Sequence, residues 1–110
     1  MSTIRLALAQ TQVTTAKHIN IKNALSFIEK AKQSKADIIA LPELCSNTAE
    51  FPVYAEFIPT GETSSALSAA AKKYEIYVIG GSIPERAGSK VYNTCTVWNP
   101  AGKLIAKHRK

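Results

Sequence analysis

The stretch DIIALPE, residues 37–43, decides how this chain folds. Residues 38–41 form a short apolar run with two β-branched side chains, which favours a strand buried in a sheet over a helix. Pro42 has no N–H to donate to a neighbouring strand, so the strand is predicted to end there. Glu43 is therefore expected just beyond the carboxyl end of a buried strand.

The residues before this strand predict a strand and a helix. Residues 4–9 are a short run of apolar and small side chains interrupted by Arg5, which is typical of a strand. Between residues 16 and 34 apolar side chains recur every three or four positions, as on the buried face of an amphipathic helix. Thr14 or Thr15 is the predicted N-cap. The predicted inward-facing side chains are Ile21, Leu25, Ile28 and Ala31.

Residues 43–59 predict a loop with at most one helical turn, because small polar residues alternate there with aromatic residues and prolines. A second helix is predicted from Thr63 or Ser64 to about Lys73, since the segment is rich in alanine. Residues 76–79 are a third short apolar run and predict a further strand.

The last third of the chain changes character after Pro84. Residues 86–89 have the composition of a turn, and residues 91–98 are rich in β-branched and aromatic side chains. A second turn at residues 99–102 precedes a strand that begins with residues 104–106. These features predict an antiparallel meander of two strands.

Strands separated by helices predict a parallel arrangement, and the short turns near the end add antiparallel neighbours. The expected fold class is α/β with a mixed β-sheet. A chain of 110 residues is long enough for one domain and too short for two independent ones.

Composition weighs against several classes of function. The formal net charge is +6 and the isoelectric point is near 9.5, but the basic residues are scattered and no aromatic side chains alternate with them. A solvated surface is favoured over nucleic-acid binding.

No segment approaches the roughly 18 apolar residues that span a bilayer, so no membrane role is expected. The amino-terminal residues do not resemble a signal peptide, which predicts an intracellular and mainly cytoplasmic protein.

Few residues stand out chemically. Glu43 lies where ligands bind in open α/β sheets, although the pattern leaves open that it is an ordinary loop residue. Cys45 and Cys95 have neither zinc-ligand nor disulfide spacing and are expected to be small buried side chains. His18 and His108 are expected on the surface, and the pair Gly80-Gly81 is expected to serve packing. No metal site and no cofactor site is predicted.

Several motifs together resemble the amino-terminal part of the nitrilase superfamily of carbon-nitrogen hydrolases, and its omega-amidase branch in particular. The motifs are IRLALAQ (4–10), ADIIALPE (36–43), GGSIPE (80–85), YNT (92–94) and KHRK (107–110). The resemblance implies an αββα sandwich, of which residues 1–110 would be a partial domain. It also implies hydrolysis of linear amides, with 2-oxoglutaramate and 2-oxosuccinamate as the substrates of the branch.

The resemblance also assigns catalytic roles. Glu43 matches the family's glutamate and would act as general base, and Lys110 matches its lysine and would stabilise the oxyanion. A buried lysine in such a pair is expected to stay charged. The nucleophilic cysteine is not in this chain according to the family pattern, and Cys45 does not match it.

From these roles we expect a partial sequence of an omega-amidase, inactive on its own and acting on a small-molecule amide. The full-length form is expected to be a homodimer in the cytoplasm or the mitochondrion. Two alternatives stay open. The chain is either a truncated, non-catalytic partner that pairs with the full enzyme through sheet edges, or part of another amidase of the superfamily.

Overall fold

Six strands and two helices form an α/β fold in the computed structural model, which describes residues 3–10, 12–44 and 52–110. The elements are β1 (Leu6–Leu8), α1 (Lys17–Gln33), β2 (Ile38–Ala40), α2 (Glu62–Tyr74), β3 (Tyr77–Ile79), β4 (Ile83–Ala87), β5 (Lys90–Trp98) and β6 (Leu104–Arg109). The predicted fold class, α/β with a mixed sheet, is confirmed.

The first three strands are parallel, in the order β1-β2-β3. β5 runs antiparallel to β3, and both β4 and β6 pair with β5 in antiparallel fashion. Trp98 of β5 pairs with β3 and with β6, while Thr94 pairs with β4 and with β6. β3 and β4 therefore follow each other along one edge of β5, joined by residues 80–82, and β6 occupies the opposite edge.

The hydrophobic core lies between the two helices and one face of the sheet. Apolar residues such as Ile28 of α1, Leu67 of α2 and Val78 of β3 are almost completely buried. The indole N–H of buried Trp98 donates to Thr96 Oγ1 at 2.9 Å, so this polar group is satisfied within the core. The opposite face of the sheet carries exposed apolar side chains, which include Leu6, Leu8 and Tyr77. No helix in the described ranges is long and apolar enough to cross a bilayer.

The helices agree with the predicted ranges to within one or two residues, but their predicted N-caps are wrong. Ala16 occupies the N-cap of α1 without a side-chain cap. Instead, Asn20 in the first turn accepts from the Thr14 backbone N–H and donates back to the Thr14 carbonyl, both at 2.8 Å. α1 is thus anchored to the preceding segment from within its own first turn.

α2 begins at Glu62 after Gly61, one residue before the predicted caps Thr63 and Ser64. The carboxylate of Glu56 accepts from the Thr63 backbone N–H at 2.7 Å and so caps the helix from outside. The predicted loop of residues 43–59 is confirmed for its described residues at 43–44 and 52–59, where no helix occurs; residues 45–51 lie outside the described ranges.

The meander has three strands rather than the predicted two, because residues 83–87 form β4 and residues 86–87 are not in a turn. Pro84 suggested an interruption, since it cannot donate a hydrogen bond. In the structure the backbone of Pro84 faces away from β5, and its carbonyl accepts from the Glu56 N–H at 3.0 Å. The missing N–H therefore costs no bond to β5.

Candidate active site

Glu43 lies at the sheet edge where β2 ends and where residues 80–82 bridge β3 and β4. The Leu41 N–H donates to the Ile79 carbonyl at 2.9 Å, and the Leu44 N–H donates to the Ser82 carbonyl at 3.1 Å. The segment that follows β2 thus runs beside this bridge. Ser82 Oγ donates to Glu43 Oε1 at 3.3 Å, so the bridge also orients the carboxylate.

Lys110 reaches the same place from the other edge of β5. It follows β6, and its backbone N–H donates to the Asn93 carbonyl at 2.9 Å. Its ammonium Nζ lies 2.7 Å from Glu43 Oε1. The structure therefore brings together the two residues that the sequence singled out, although 67 positions separate them.

The pair is more open to solvent than predicted. The side chain of Lys110 is 53% exposed and that of Glu43 is 57% exposed. The expectation of a buried lysine is wrong for this chain, because the described residues cover the ion pair from one side only.

The environment of Glu43 favours its ionised form. The hydrogen bond from Lys110 lowers the pKa of the Glu43 carboxyl and outweighs the opposing effect of partial burial. The charge of Lys110 and hydrogen bonds from Ser82 and Asn93 act in the same direction. At neutral pH the site therefore contains a carboxylate that can accept a proton and an ammonium group that can stabilise developing negative charge.

A second carboxylate, Glu85 of β4, has no role assigned by the sequence. Its side chain is only 3% exposed, and it accepts from Arg109 Nε, Lys107 Nζ and Thr94 Oγ1, each at 2.8 Å. These donors, Arg109 first, lower its pKa to about 2 despite burial. A partial signal was available, since Lys107 and Arg109 are two positions apart and so lie on one face of the predicted last strand, where one carboxylate can pair with both.

Cys95 lies on β5 and is half-buried. Its Sγ donates to the Gly80 carbonyl at 2.9 Å, and burial raises the pKa of the thiol, although the charge of Lys110 partly opposes this. The thiol is thus poorly suited to be a nucleophile, in agreement with its predicted role as a small, largely buried side chain. Cys45 lies outside the described ranges.

The other candidates occupy the predicted positions. His18 and His108 are exposed on α1 and β6, and Gly81 packs tightly against Pro42. Among residues 3–10, 12–44 and 52–110, no three His, Cys, Asp or Glu side chains converge in a way that could bind a metal ion.

The sequence of this chain is similar to those of known proteins. The model of the carbon-nitrogen hydrolase family matches residues 5–110. The omega-amidase NIT2 of Mus musculus is 51% identical over the whole chain, and that of Homo sapiens is 49% identical. In both cases the chain spans 41% of the relative's length.

Solved structures agree with this match. Saccharomyces cerevisiae Nit3, a member of branch 10 of the nitrilase superfamily, superposes with a TM-score of 0.86 and 36% identity over 97% of this chain and 44% of that chain. An N-terminal amidase, whose crystal structure was determined with a Gln-Val peptide, superposes with a TM-score of 0.80 and 26% identity, over 97% of this chain and 28% of the amidase.

Proposed function

Because this chain belongs to the carbon-nitrogen hydrolase family, we propose that the whole protein is an omega-amidase. It hydrolyses the distal amide of 2-oxoglutaramate and 2-oxosuccinamate to the 2-oxo acid and ammonia. The relatives at about half identity support the branch, since they are omega-amidases by name.

The observation that carries the proposal is the contact of 2.7 Å between Lys110 Nζ and Glu43 Oε1 at the end of β2. Both side chains match family motifs, and they meet at a sheet edge although 67 positions separate them in the sequence. A carboxylate and an ammonium at this distance supply the general base and the oxyanion-stabilising cation that covalent amide hydrolysis needs.

In the proposed reaction Glu43 takes the proton of a cysteine thiol, and the thiolate attacks the amide carbon. Lys110 stabilises the negative oxygen of the tetrahedral intermediate. When the tetrahedral intermediate collapses, its C–N bond breaks and the leaving nitrogen takes up the proton from Glu43. Ammonia departs, and the acyl group remains bound to the cysteine as a thioester. Water activated by Glu43 then hydrolyses the thioester. The family resemblance implies a nucleophile that is neither Cys45 nor Cys95.

The test uses the full-length polypeptide and measures ammonia release. We expect hydrolysis of 2-oxoglutaramate and 2-oxosuccinamate, with glutamine and asparagine as controls that lack the 2-oxo group. Glu43→Gln preserves the size of the side chain but removes the base, so it is expected to lower kcat on the order of 100-fold or more. Hydrolysis of other linear amides but of neither 2-oxo acid amide would assign the protein to another branch of the superfamily.

Further properties are proposed on the same basis. We expect a homodimer in the cytoplasm or the mitochondrion that acts on small molecules and uses no nucleic acid, membrane or cofactor. Size-exclusion chromatography with light scattering and cell fractionation test the first two properties. We expect no activity from residues 1–110 alone, because neither cysteine in them matches the nucleophile.

A second candidate function is that of a non-catalytic partner of the full enzyme. One observation favours it. β1 is the outermost strand of the parallel part of the described sheet, and its side chains Leu6 and Leu8 are exposed. An exposed strand edge can pair with another chain. Co-purification of the 110-residue chain with the full enzyme would support this role, and failure of the two to associate would exclude it.

A further inference from the structure

The buried carboxylate of Glu85 is the centre of an ionic cluster at the end of the sheet. Arg109 donates to it twice, from Nε at 2.8 Å and from Nη2 at 3.2 Å, and Lys107 Nζ donates at 2.8 Å. Thr94 Oγ1 from the intervening strand adds a fourth donor at 2.8 Å. The guanidinium of Arg109 also lies 4.2 Å from the centre of the Tyr92 ring. Glu85 therefore links β4 to β6 across β5.

Lys110 is the residue immediately after this cluster. Side chains alternate between the faces of a sheet along a strand, so Lys107 and Arg109 point to one face and Lys110 to the other. Contacts agree with the alternation, because the first two side chains reach Glu85 and the third reaches Glu43. The cluster and the candidate catalytic pair are thus on opposite faces of the same end of β6.

In the described part of the chain, this end of β6 is otherwise fixed mainly by its pairing with β5. Residues 105–109 are exposed, and β5 is its partner strand within the described sheet. The last register pair is Thr94 with Arg109, after which the Lys110 N–H bonds to the Asn93 carbonyl. An edge strand that is exposed along its length is prone to local opening. The contacts of Glu85 act directly on Lys107 and Arg109, and Arg109 immediately precedes Lys110.

We propose that Glu85 is a positioning residue for the Glu43–Lys110 pair. Its contacts with Arg109 and Lys107 fix the end of β6 and thereby hold Lys110 beside Glu43. This inference rests on the proposed amidase function for its catalytic consequence. Its structural content is independent of that function: loss of the Glu85 carboxylate displaces Lys110 from Glu43.

The experiment compares two substitutions in the full-length protein with matched controls. Glu85→Gln removes the charge of the cluster and keeps the side-chain size. Its control is Glu56→Gln, which neutralises another buried carboxylate. Glu56 pairs with Lys17 at 2.7 Å and accepts from Thr63, and among the described residues its side chain does not contact β6. Arg109→Met breaks the cluster from its more exposed side. Its control is Arg86→Met, because the guanidinium of Arg86 donates to the Pro52 carbonyl at 2.8 Å and is not part of the cluster.

Two readouts separate positioning from general stability. The first is the titration of the Glu43 carboxyl by ¹³C NMR. Glu85→Gln and Arg109→Met are expected to raise the pKa of Glu43 towards its ordinary value, because Lys110 no longer donates steadily, whereas both controls leave it unchanged. The second is kcat for amide hydrolysis, expected to fall on the order of 10- to 100-fold with little change in KM, since a misplacement of about 1 Å has such an effect.

Each outcome decides a claim. If Glu85→Gln and Arg109→Met retain the Glu43 titration and kcat of the unsubstituted protein, the positioning role is wrong. If Glu85→Gln does not fold, Arg109→Met alone decides the question by the same two readouts. If the unsubstituted protein hydrolyses no amide, the proposed function fails, and the NMR titration still decides whether Glu85 positions Lys110.

Discussion

The carbonyl oxygen of Pro42 occupies the space that a side chain on Gly81 would need, because a Cβ atom at Gly81 would lie 1.4 Å from it. This close approach joins the end of β2 to the bridge between β3 and β4. It places Glu43 beside Ser82, which donates to its carboxylate. The position of the candidate general base therefore depends on a glycine, a residue without a side chain that could take part in the reaction.

Gly81→Ala is expected to destabilise the protein and to displace Glu43. The obstructing atoms belong to the backbone and cannot rotate away, so the cost should reach or exceed the upper end of the about 1–3 kcal/mol that overpacking usually costs. Unfolding by urea measures it. Gly88→Ala is the control, because that site has φ of +60° and open space around it, and should cost only about 1 kcal/mol. Equal losses in the two variants would contradict this account.

Most of the element order could be predicted from the sequence, because it depends on local periodicity. The apolar runs of β2 and β3 and the stripe of α1 are local signals, and the structure confirms them. β4 was missed because Pro84 and the turn-like composition of residues 86–89 conceal a strand that pairs with β5 after a turn of only two residues. Pro84 is compatible with the strand only because its backbone faces Glu56 and not β5.

The two members of the candidate site differ in how far the sequence could predict them. Glu43 follows a recognisable strand, and its location at the sheet edge follows from local sequence. Lys110 was found only through the family resemblance, because its position depends on the pairing of β6 with β5 and on the Asn93 carbonyl. The partners of Glu85 depend on the same pairing, which local patterns do not fix.

Cys95 is expected to react slowly with iodoacetamide at neutral pH in the native protein. Burial raises its pKa, so the reactive thiolate is scarce, and the thiol donates to the Gly80 carbonyl. Peptide mapping by mass spectrometry measures the modification, with the urea-unfolded protein as reference. Cys95→Ser retains a donor and should retain activity, whereas Cys95→Val should lose about 1 kcal/mol of stability. Rapid labelling or an inactive serine variant would show that Cys95 has a chemical role.

Glu85 is expected to make the free energy of unfolding depend on pH in the acidic range. Its pKa is about 2 in the folded protein and has an ordinary value of 4.5, so the native state favours the ionised form. This contribution is fully present above pH 4.5 and is lost as the pH falls towards 2. This difference between the two pKa values corresponds to roughly 3 kcal/mol of unfolding free energy. Urea unfolding should therefore show a steeper loss of stability on acidification for the unsubstituted protein than for Glu85→Gln. Glu62→Gln, at an exposed position of α2, is the control, and parallel curves for all three proteins would refute the assignment.

Lys110→Met is expected to change both the rate and its pH dependence. Loss of the cation that stabilises the oxyanion should lower kcat for amide hydrolysis by about 100- to 1,000-fold. The hydrogen bond from Lys110 is also the main cause of the low pKa of Glu43, so this pKa should rise and the acidic limb of kcat/KM should move to higher pH. Lys110→Arg retains a charged donor and should keep the acidic limb near its original position, while Lys103→Met removes an exposed charge in a turn and should change neither quantity. A methionine variant with an unaltered rate and an unmoved acidic limb would show that Lys110 does not act on Glu43 in the reaction.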